Sequence, residues 1–274
     1  MSSLSNTYNE MYQHIERIKS NKKYLISIVI PVYNEETTIY SILTSLPNNN
    51  KIEVIVIDDC SKDKSVEEIK RAQASWDIKL YKHKRNRGYG KAILTGIKKS
   101  NGKIIITMDA DGQHSGDDIY SLIKPILNNE AEYTIGSRYL GSYNYELPIT
   151  TRIGEIFVEK LLLIIFGQKV VNNQGGFRAF DRKIISIFEN IQYYNFAFTT
   201  ELIIRAALYG FRIKECPIKL MDRAHGKSRI KLNKLAINIL ACFFRYLLLK
   251  IKLKIFKKDE ISFKKKKLIF SELK

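Results

Sequence analysis

Cysteine is scarce in this 274-residue chain: Cys60, Cys216 and Cys242 are all it has. An odd number at wide spacing builds neither a disulfide framework nor a zinc site, and a reducing compartment suits it best. Residues 1–24 are polar and carry Glu10, Glu16, Arg17, Lys19, Lys22 and Lys23, so no apolar signal-peptide core stands there. A membrane-spanning run is missing too. The stretch 235–249 has 15 residues interrupted only by Asn238 and Arg245, whereas a spanning helix needs about 20 apolar residues. Such a helix suits a membrane interface or a core face. Acids are nearly absent from one part only. Residues 223–274 hold 16 Lys/Arg against 3 Asp/Glu, a net +13 of the chain's +18, which leaves +5 for the first 222 residues. A uniformly basic nucleic-acid binder would not split its charge this way, but a tail resting on an anionic membrane surface would. A general bias toward Lys, Asn and Ile does not explain where the acids are missing. From 250 to 274 ten lysines alternate with Phe256, Phe263 and Phe270, which a merely solvated tail has no use for.

Hydrophobic content of 45% and charged content of 27% are ordinary for a globular chain. Apolar runs at 25–32, 52–57, 78–81, 104–108 and 133–136 read as strands. Segments 36–46, 64–75, 90–99 and 117–127 between them read as helices. That alternation predicts a mostly parallel α/β sheet, and continuous apolar runs agree with strands buried on both faces. Later, 153–166 and 197–209 read as helices, and 211–220, interrupted by Pro217, as an edge strand. Tyr33, Asn34 and Glu35 follow the first strand, Asp58 and Asp59 the second, Asp109 and Asp111 the fourth. Ligand crevices of open α/β sheets lie beyond the carboxyl ends of the strands, so these side chains are expected to converge.

Asp109-Ala110-Asp111-Gly112-Gln113-His114 is the sharpest local feature. Two carboxylates at i and i+2 after a buried strand suit one hard cation, Mg2+ or Mn2+ rather than zinc, that would hold phosphates. Asn86-Arg87-Gly88-Tyr89-Gly90-Lys91 precedes a helix and lets backbone N–H groups approach a phosphate. It lacks the third glycine of the dinucleotide fingerprint, because Ile93 stands there. Gly226-Lys227-Ser228 lacks the earlier glycine of a P-loop, since that position is Met221. The segment Arg223–Arg229 reads as a basic, glycine-hinged loop able to close over phosphates, or as a basic turn. His14, His83, His114 and His225 show no metal-ligand spacing, and His14 and His83 read as surface residues.

Taken together, Pro31–Glu36, Ile57–Ser61, Asn86–Gly90, Asp109–His114, Gly136–Tyr139, Gly175–Arg178 and Arg223–Arg229 occur in the order seen in family 2 glycosyltransferases. Over roughly residues 25–230 the chain resembles the dolichol-phosphate mannose synthase and polyprenyl-phosphate glucosyltransferase branch. The resemblance implies a GT-A, Rossmann-like fold binding a nucleotide-sugar with Mg2+ or Mn2+. It implies that Pro31, Tyr33, Glu35, Ile57 and Asp59 hold the nucleobase and ribose. Asp109, Ala110, Asp111 and Gln113 would surround the metal and diphosphate, and Arg138, Arg223 and Arg229 would contact phosphates. Glu201 matches an acidic position of the family. This sequence departs from the pattern at Arg229, often Lys, at Cys60, usually Gly, and at Asn172, usually Asp, so no general base is assigned by resemblance.

A phosphate monoester needs none. Its second pKa is about 6, so it is largely ionised at neutral pH and brings its own oxyanion, whereas a sugar hydroxyl wants a base. The expected activity is therefore inverting, metal-dependent transfer of a hexose, mannose or glucose, to a dolichyl or undecaprenyl phosphate. Transfer to a saccharide or lipopolysaccharide hydroxyl is the alternative, favoured if a base such as Glu201 lies beside the sugar. An inactive basic membrane or nucleic-acid binding module is a third; the intact Asp109/Asp111 pair and the lack of an RNA-binding motif argue against it. The expected organisation is an extension (1–24), a GT-A domain (25–231) and a basic amphipathic membrane-associating segment (232–274). The expected place is the cytoplasmic face of a membrane, peripheral or monotopic, with a membrane partner protein left open.

Overall fold

The computed structural model describes residues 2–18, 23–143, 149–195, 197–222 and 232–255. After a first helix, α1 (Ser2–Glu16), strands and helices alternate: β1 (Ile26–Val32), α2 (Ile39–Ser45), β2 (Ile52–Asp58), α3 (Ser65–Gln73), β3 (Ile78–Lys82), α4 (Tyr89–Lys99), β4 (Ile104–Thr107), α5 (Ile119–Leu127) and β5 (Tyr133–Tyr143). Then come α6 (Ile149–Phe166), β6 (Arg178–Asp181), α7 (Ala197–Tyr209), β7 (Ile213–Leu220) and α8 (Leu232–Ile255). Among the described residues the sheet has seven strands in the order β3-β2-β1-β4-β6-β5-β7. All are parallel except β6, which runs antiparallel to both β4 and β5. This is the mostly parallel α/β sheet that the apolar runs predict.

Successive strand side chains point to opposite faces. Ile26, Ile28 and Ile30 therefore join one core layer, under α2, α3 and α5, while Val29 joins the other, under α4, α6, α7 and α8. β6 was not foreseen: it has four residues, and Arg178 and Asp181 interrupt its apolar pattern. β7 is the edge strand expected from Pro217, with alternating burial. The polar N-terminal stretch also holds an unforeseen element. Met11 and Ile15 of α1 are fully buried against the first layer, and Tyr8 donates to the Ser45 carbonyl at 2.8 Å. Each such apolar side chain contributes about 1.5–3 kcal/mol on full burial.

The run 235–249 packs one face into the core. Cys242, Phe243, Tyr246 and Leu249 of α8 fill the second layer, and Phe243 meets Phe166 of α6 at 6.0 Å between ring centroids. Its other face leaves Ile237, Leu240, Phe244, Leu248 and Ile251 exposed. α6 likewise exposes Ile149, Ile153, Phe157 and Ile164. Among the described residues no helix is long and apolar enough to cross a membrane.

Candidate active site

In-register parallel pairing brings the carboxyl ends of β1, β2 and β4 to one edge. There the loops brace one another. Asn34, at φ +58°, receives the Lys62 N–H at 2.8 Å on its side chain and gives its own N–H to Ser61 Oγ at 3.0 Å. Glu35 N–H reaches Ser65 Oγ at 2.8 Å, and Thr38 Oγ1 donates to the Ala110 carbonyl at 2.6 Å. Cys60 takes φ +69°, the left-handed region where glycine is favoured, so the cysteine holds a glycine's backbone conformation. These loops wall a cavity of about 1250 Å³, larger than the ~300–1,000 Å³ of typical small-molecule clefts.

Pro31, Tyr33, Glu35, Asp59, Asp109, Ala110 and Asp111 all line it. Three expected site residues do not. Ile57 is a β2 residue wholly buried beneath the cavity against Ala92, since its side chain points into the sheet's packed face. Gln113 gives its N–H to Asp111 Oδ1 at 3.1 Å and its side-chain amide to the Met221 carbonyl at 3.2 Å, so it ties the acidic turn to the end of β7. Arg138 is turned away to a buried carboxylate, Glu155 of α6, at 2.5 Å. Arg223 and Arg229 lie outside the described residues.

His83, read from sequence as a surface residue, is not one. Its side chain is 7% exposed, with Nδ1 2.6 Å from Asp59 Oδ1 and Nε2 2.9 Å from Thr95 Oγ1. Asp59 also accepts the N–H groups of Arg87, at 2.9 Å, and Gly88, at 2.7 Å. Its carboxylate therefore shapes the glycine turn ahead of α4 as well as lining the cavity. His14 is half-tied to Tyr120 at 3.3 Å. The His114 ring lies 4.9 Å from that of Phe177, tilted by 33°.

Asp109 lines the cavity just past the end of β4. Burial pushes its carboxyl above the usual range; the field of His114 opposes this, and the Asp111 charge adds to it. Its Oδ1 is buried with no hydrogen-bond partner among the described residues. A buried acceptor left unpaired costs about 1–3 kcal/mol, so a cation or a proton belongs there. Oxygen donors alone suit Mg2+ or Mn2+. Among the described residues no third His, Cys, Asp or Glu gathers with the pair, so diphosphate and water oxygens would complete such a shell. The charge balance agrees. Glu35, Glu36, Asp59, Asp63, Asp109 and Asp111 face a single described cation, Arg87, in the lining. An anionic ligand enters such a cavity only with added positive charge.

The far wall was largely missed by sequence reasoning. It is made by Gln174, Thr199 and the segment Gln192–Asn195, with Asn238 of α8. Glu201 does not line the cavity. It is fully buried and accepts from Gln192 N–H at 3.0 Å, Tyr193 N–H at 2.8 Å and the Tyr246 hydroxyl at 2.5 Å. One acid thus pins both the wall segment and α8. The only sequence signal for it was its place in Phe198-Thr199-Thr200-Glu201, and nothing local marked Asn238.

The Glycosyl transferase family 2 profile matches residues 27–188, more than half of the chain. This protein is a family 2 glycosyltransferase. A UDP-N-acetylglucosamine–dolichyl-phosphate N-acetylglucosaminyltransferase of Methanococcus voltae is 31% identical over 82% of this chain and 96% of that one. A dolichol-phosphate mannosyltransferase of Pyrococcus furiosus is 27% identical over 75% of this chain and 59% of its own. In fold the glycosyltransferase is similar to glucosyl-3-phosphoglycerate synthase from Mycobacterium tuberculosis in complex with Mn2+, UDP and phosphoglyceric acid. The TM-score is 0.65 at 18% identity, over 82% of this chain and 78% of that one. The complex of that synthase with Mg2+ and UDP matches with a TM-score of 0.66 at 18% identity, over 87% and 83%. The architecture is the GT-A fold of this family. Asn172, where a family acid was expected, does not line the glycosyltransferase's cavity. Its side-chain amide donates to the Gly136 carbonyl at 2.6 Å, and Glu215 receives its N–H at 2.8 Å.

Proposed function

We propose that this glycosyltransferase moves a sugar from a nucleoside-diphosphate sugar to a dolichyl-type polyprenyl phosphate at a membrane surface, with inversion. One observation carries the reading: α8 lends Asn238 to the donor cavity while the same helix exposes Leu240, Phe244 and Leu248 on its outer side. A single helix therefore joins a water-soluble donor's site to an apolar surface that a lipid acceptor needs. Mannose and glucose lead by resemblance, and the name of the Methanococcus voltae relative puts N-acetylglucosamine ahead of both.

In the reaction an ionised oxygen of the lipid phosphate attacks the anomeric carbon. The bond from that carbon to the nucleoside diphosphate breaks on the opposite face, and the electron pair leaves with the diphosphate. The acceptor arrives already ionised, so the protein's work is orientation and charge stabilisation. Tyr33, Glu35 and Asp59 would hold the nucleoside, and Asp109 and Asp111 would hold Mg2+ or Mn2+. When bound, that cation supplies Lewis-acid stabilisation of the departing diphosphate. β7 ends beside Gln113, and Asn238 lines the cavity. Arg223 and Arg229, which lie outside the described residues, would contact the phosphates as the resemblance implies. Glu201 offers no base to a sugar hydroxyl, because its oxygens are spent on the backbone and Tyr246.

The test is transfer of radiolabel from UDP-N-acetylglucosamine, GDP-mannose and UDP-glucose, in parallel, into organic-extractable dolichyl phosphate. Label dependent on both the lipid phosphate and Mg2+ or Mn2+ is expected with one donor. Asp109→Ala is expected to lower that rate by at least about 100-fold, the scale of losing a main electrostatic group. Donor hydrolysis without lipid labelling would move the acceptor elsewhere, and near-normal turnover of Asp109→Ala would remove the cation assignment.

A further inference from the structure

We propose that His83 is a positioning residue of the donor subsite: its imidazole fixes the Asp59 carboxylate, and that carboxylate holds the segment 86–88 in place as one wall of the cavity. The inference rests on the reading of this cavity as the nucleotide-sugar site.

The sheet ladder stops short of this wall. β3 is the outermost strand on its side, and its pairing with β2 ends at Lys82 opposite Asp58. One further backbone bond follows, from the His83 N–H to the Asp58 carbonyl at 2.9 Å. The chain then turns back to enter α4 at Tyr89. Asp59 holds that turn. Its carboxylate accepts the Arg87 N–H, at 2.9 Å on Oδ1 and 3.1 Å on Oδ2, and the Gly88 N–H at 2.7 Å on Oδ2. Gly88 takes φ +84°, a conformation open to glycine at no steric cost. Two successive N–H groups meet one carboxylate, so the orientation of that carboxylate decides where both residues lie.

His83 sets that orientation. Its Nδ1 stands 2.6 Å from Asp59 Oδ1, and its Nε2 stands 2.9 Å from Thr95 Oγ1 of α4. Thr95 is itself tied to the Lys91 carbonyl of the same helix at 2.9 Å. The ring is therefore gripped at both nitrogens, and its backbone is fixed to β2. Both side chains are shielded from water, at 7% exposed for His83 and 5% for Asp59. A hydrogen bond to a carboxylate is strong in such a place, because little water competes for it. The backbone of Asp59 is held as well, its N–H reaching the Val32 carbonyl at 2.8 Å, one residue before Tyr33. Without the imidazole, the described donors left to Asp59 are the two N–H groups of the turn. A carboxylate that swings away from them releases Asn86, Arg87 and Gly88 from the cavity lining. Arg87 is the one described cation of that lining, so its displacement would be felt by an anionic donor.

The experiment titrates UDP and GDP, each with Mg2+, into full-length wild type, His83→Phe, His83→Asn and Thr95→Val by isothermal calorimetry. Thermal melting is read beside it. Phenylalanine keeps a ring but has no donor, whereas the asparagine amide stands where Nδ1 does and donates to Asp59. His83→Phe is expected to bind the nucleotide that wild type prefers about 10-fold more weakly, the scale of one hydrogen bond to a charged group. Its KM for donor should rise by a similar factor, with kcat changed less. His83→Asn should recover most of the affinity, and Thr95→Val should shift it in the same direction as His83→Phe by a smaller factor. Affinity within about twofold of wild type in a folded His83→Phe protein overturns the role of His83 while leaving the donor site standing. Equal losses in His83→Phe and His83→Asn assign the residue to packing and overturn it as well. If His83→Phe does not fold, unchanged affinity in Thr95→Val overturns it. If wild type binds neither nucleotide, the donor-site reading fails, and this inference falls with it.

Discussion

The Asn172 amide faces the Gly136 carbonyl at 2.6 Å, and that contact decides what residue 172 does. A carboxylate there would lose the donor and set oxygen against oxygen in a buried place. Asn172→Asp is therefore expected to destabilise the fold by about 1–3 kcal/mol, the cost of a buried polar group left unpaired. For a chain of this size that is a drop of several degrees in Tm, at about 2–4 °C per kcal/mol. Scanning fluorimetry would show it, and the transfer assay should show no gain in rate; a faster enzyme with unchanged Tm would restore residue 172 as a catalytic position. His83 teaches the complementary point. Its identity is visible in the sequence, but its pairing with Asp59 joins residues 24 apart, and the loop composition around it gave no sign of burial.

Among the elements, α8 carries the most consequence. Its inner face packs into the second core layer, Asn238 reaches the cavity, and its outer face exposes apolar side chains. Replacing Phe244 and Leu248 together by Glu should leave Tm nearly unchanged, because both side chains are more than half exposed, at 65% and 52%. The same change should reduce sedimentation with anionic liposomes by at least about tenfold, since apolar area and charge both contribute to interfacial binding. Removal of 256–274 is expected to weaken the same binding and make it less salt-sensitive, at about 1 kcal/mol per basic residue near the surface. The cut belongs after Ile255, because Leu253 is still buried. Unchanged binding of both variants would show that neither the helix face nor the tail meets lipid.

At the scale of the whole molecule, the seam between β5 and β7 is where acid should act. Glu132 lies just before β5. It accepts from Arg212, with N–H···Oε2 at 2.8 Å and the guanidinium at the same carboxylate, and Lys183 Nζ stands 3.1 Å away. Arg212 first, and Lys183 with it, hold the Glu132 carboxyl down to about 2 despite partial burial. A depressed carboxyl pKa contributes stability above its ordinary value of 4.5 and loses that contribution as pH falls toward 2. Urea unfolding of Glu132→Gln should show a deficit at pH 7 that narrows between pH 4.5 and 2. A deficit of constant size across that window would assign the loss to packing instead of charge.

Much of this architecture can be read along the chain. Apolar runs that end in Tyr33, Asp59 and Asp109 locate strands, and the rule that ligands gather at strand ends locates the crevice; both are local signals. The basic charge after residue 223 is equally plain in composition. What only tertiary structure decided depends on partners distant in sequence: Arg138 spent on Glu155, Glu201 spent on Gln192, Tyr193 and Tyr246, α1 docked through Met11 and Ile15, and Asn238 brought to the cavity from α8. The physical reason is common to all four. Hydrophobic periodicity and turn chemistry are properties of adjacent residues, whereas the neutralisation of a buried charge or the closing of a cavity depends on which side chains the folded backbone places within a few ångströms.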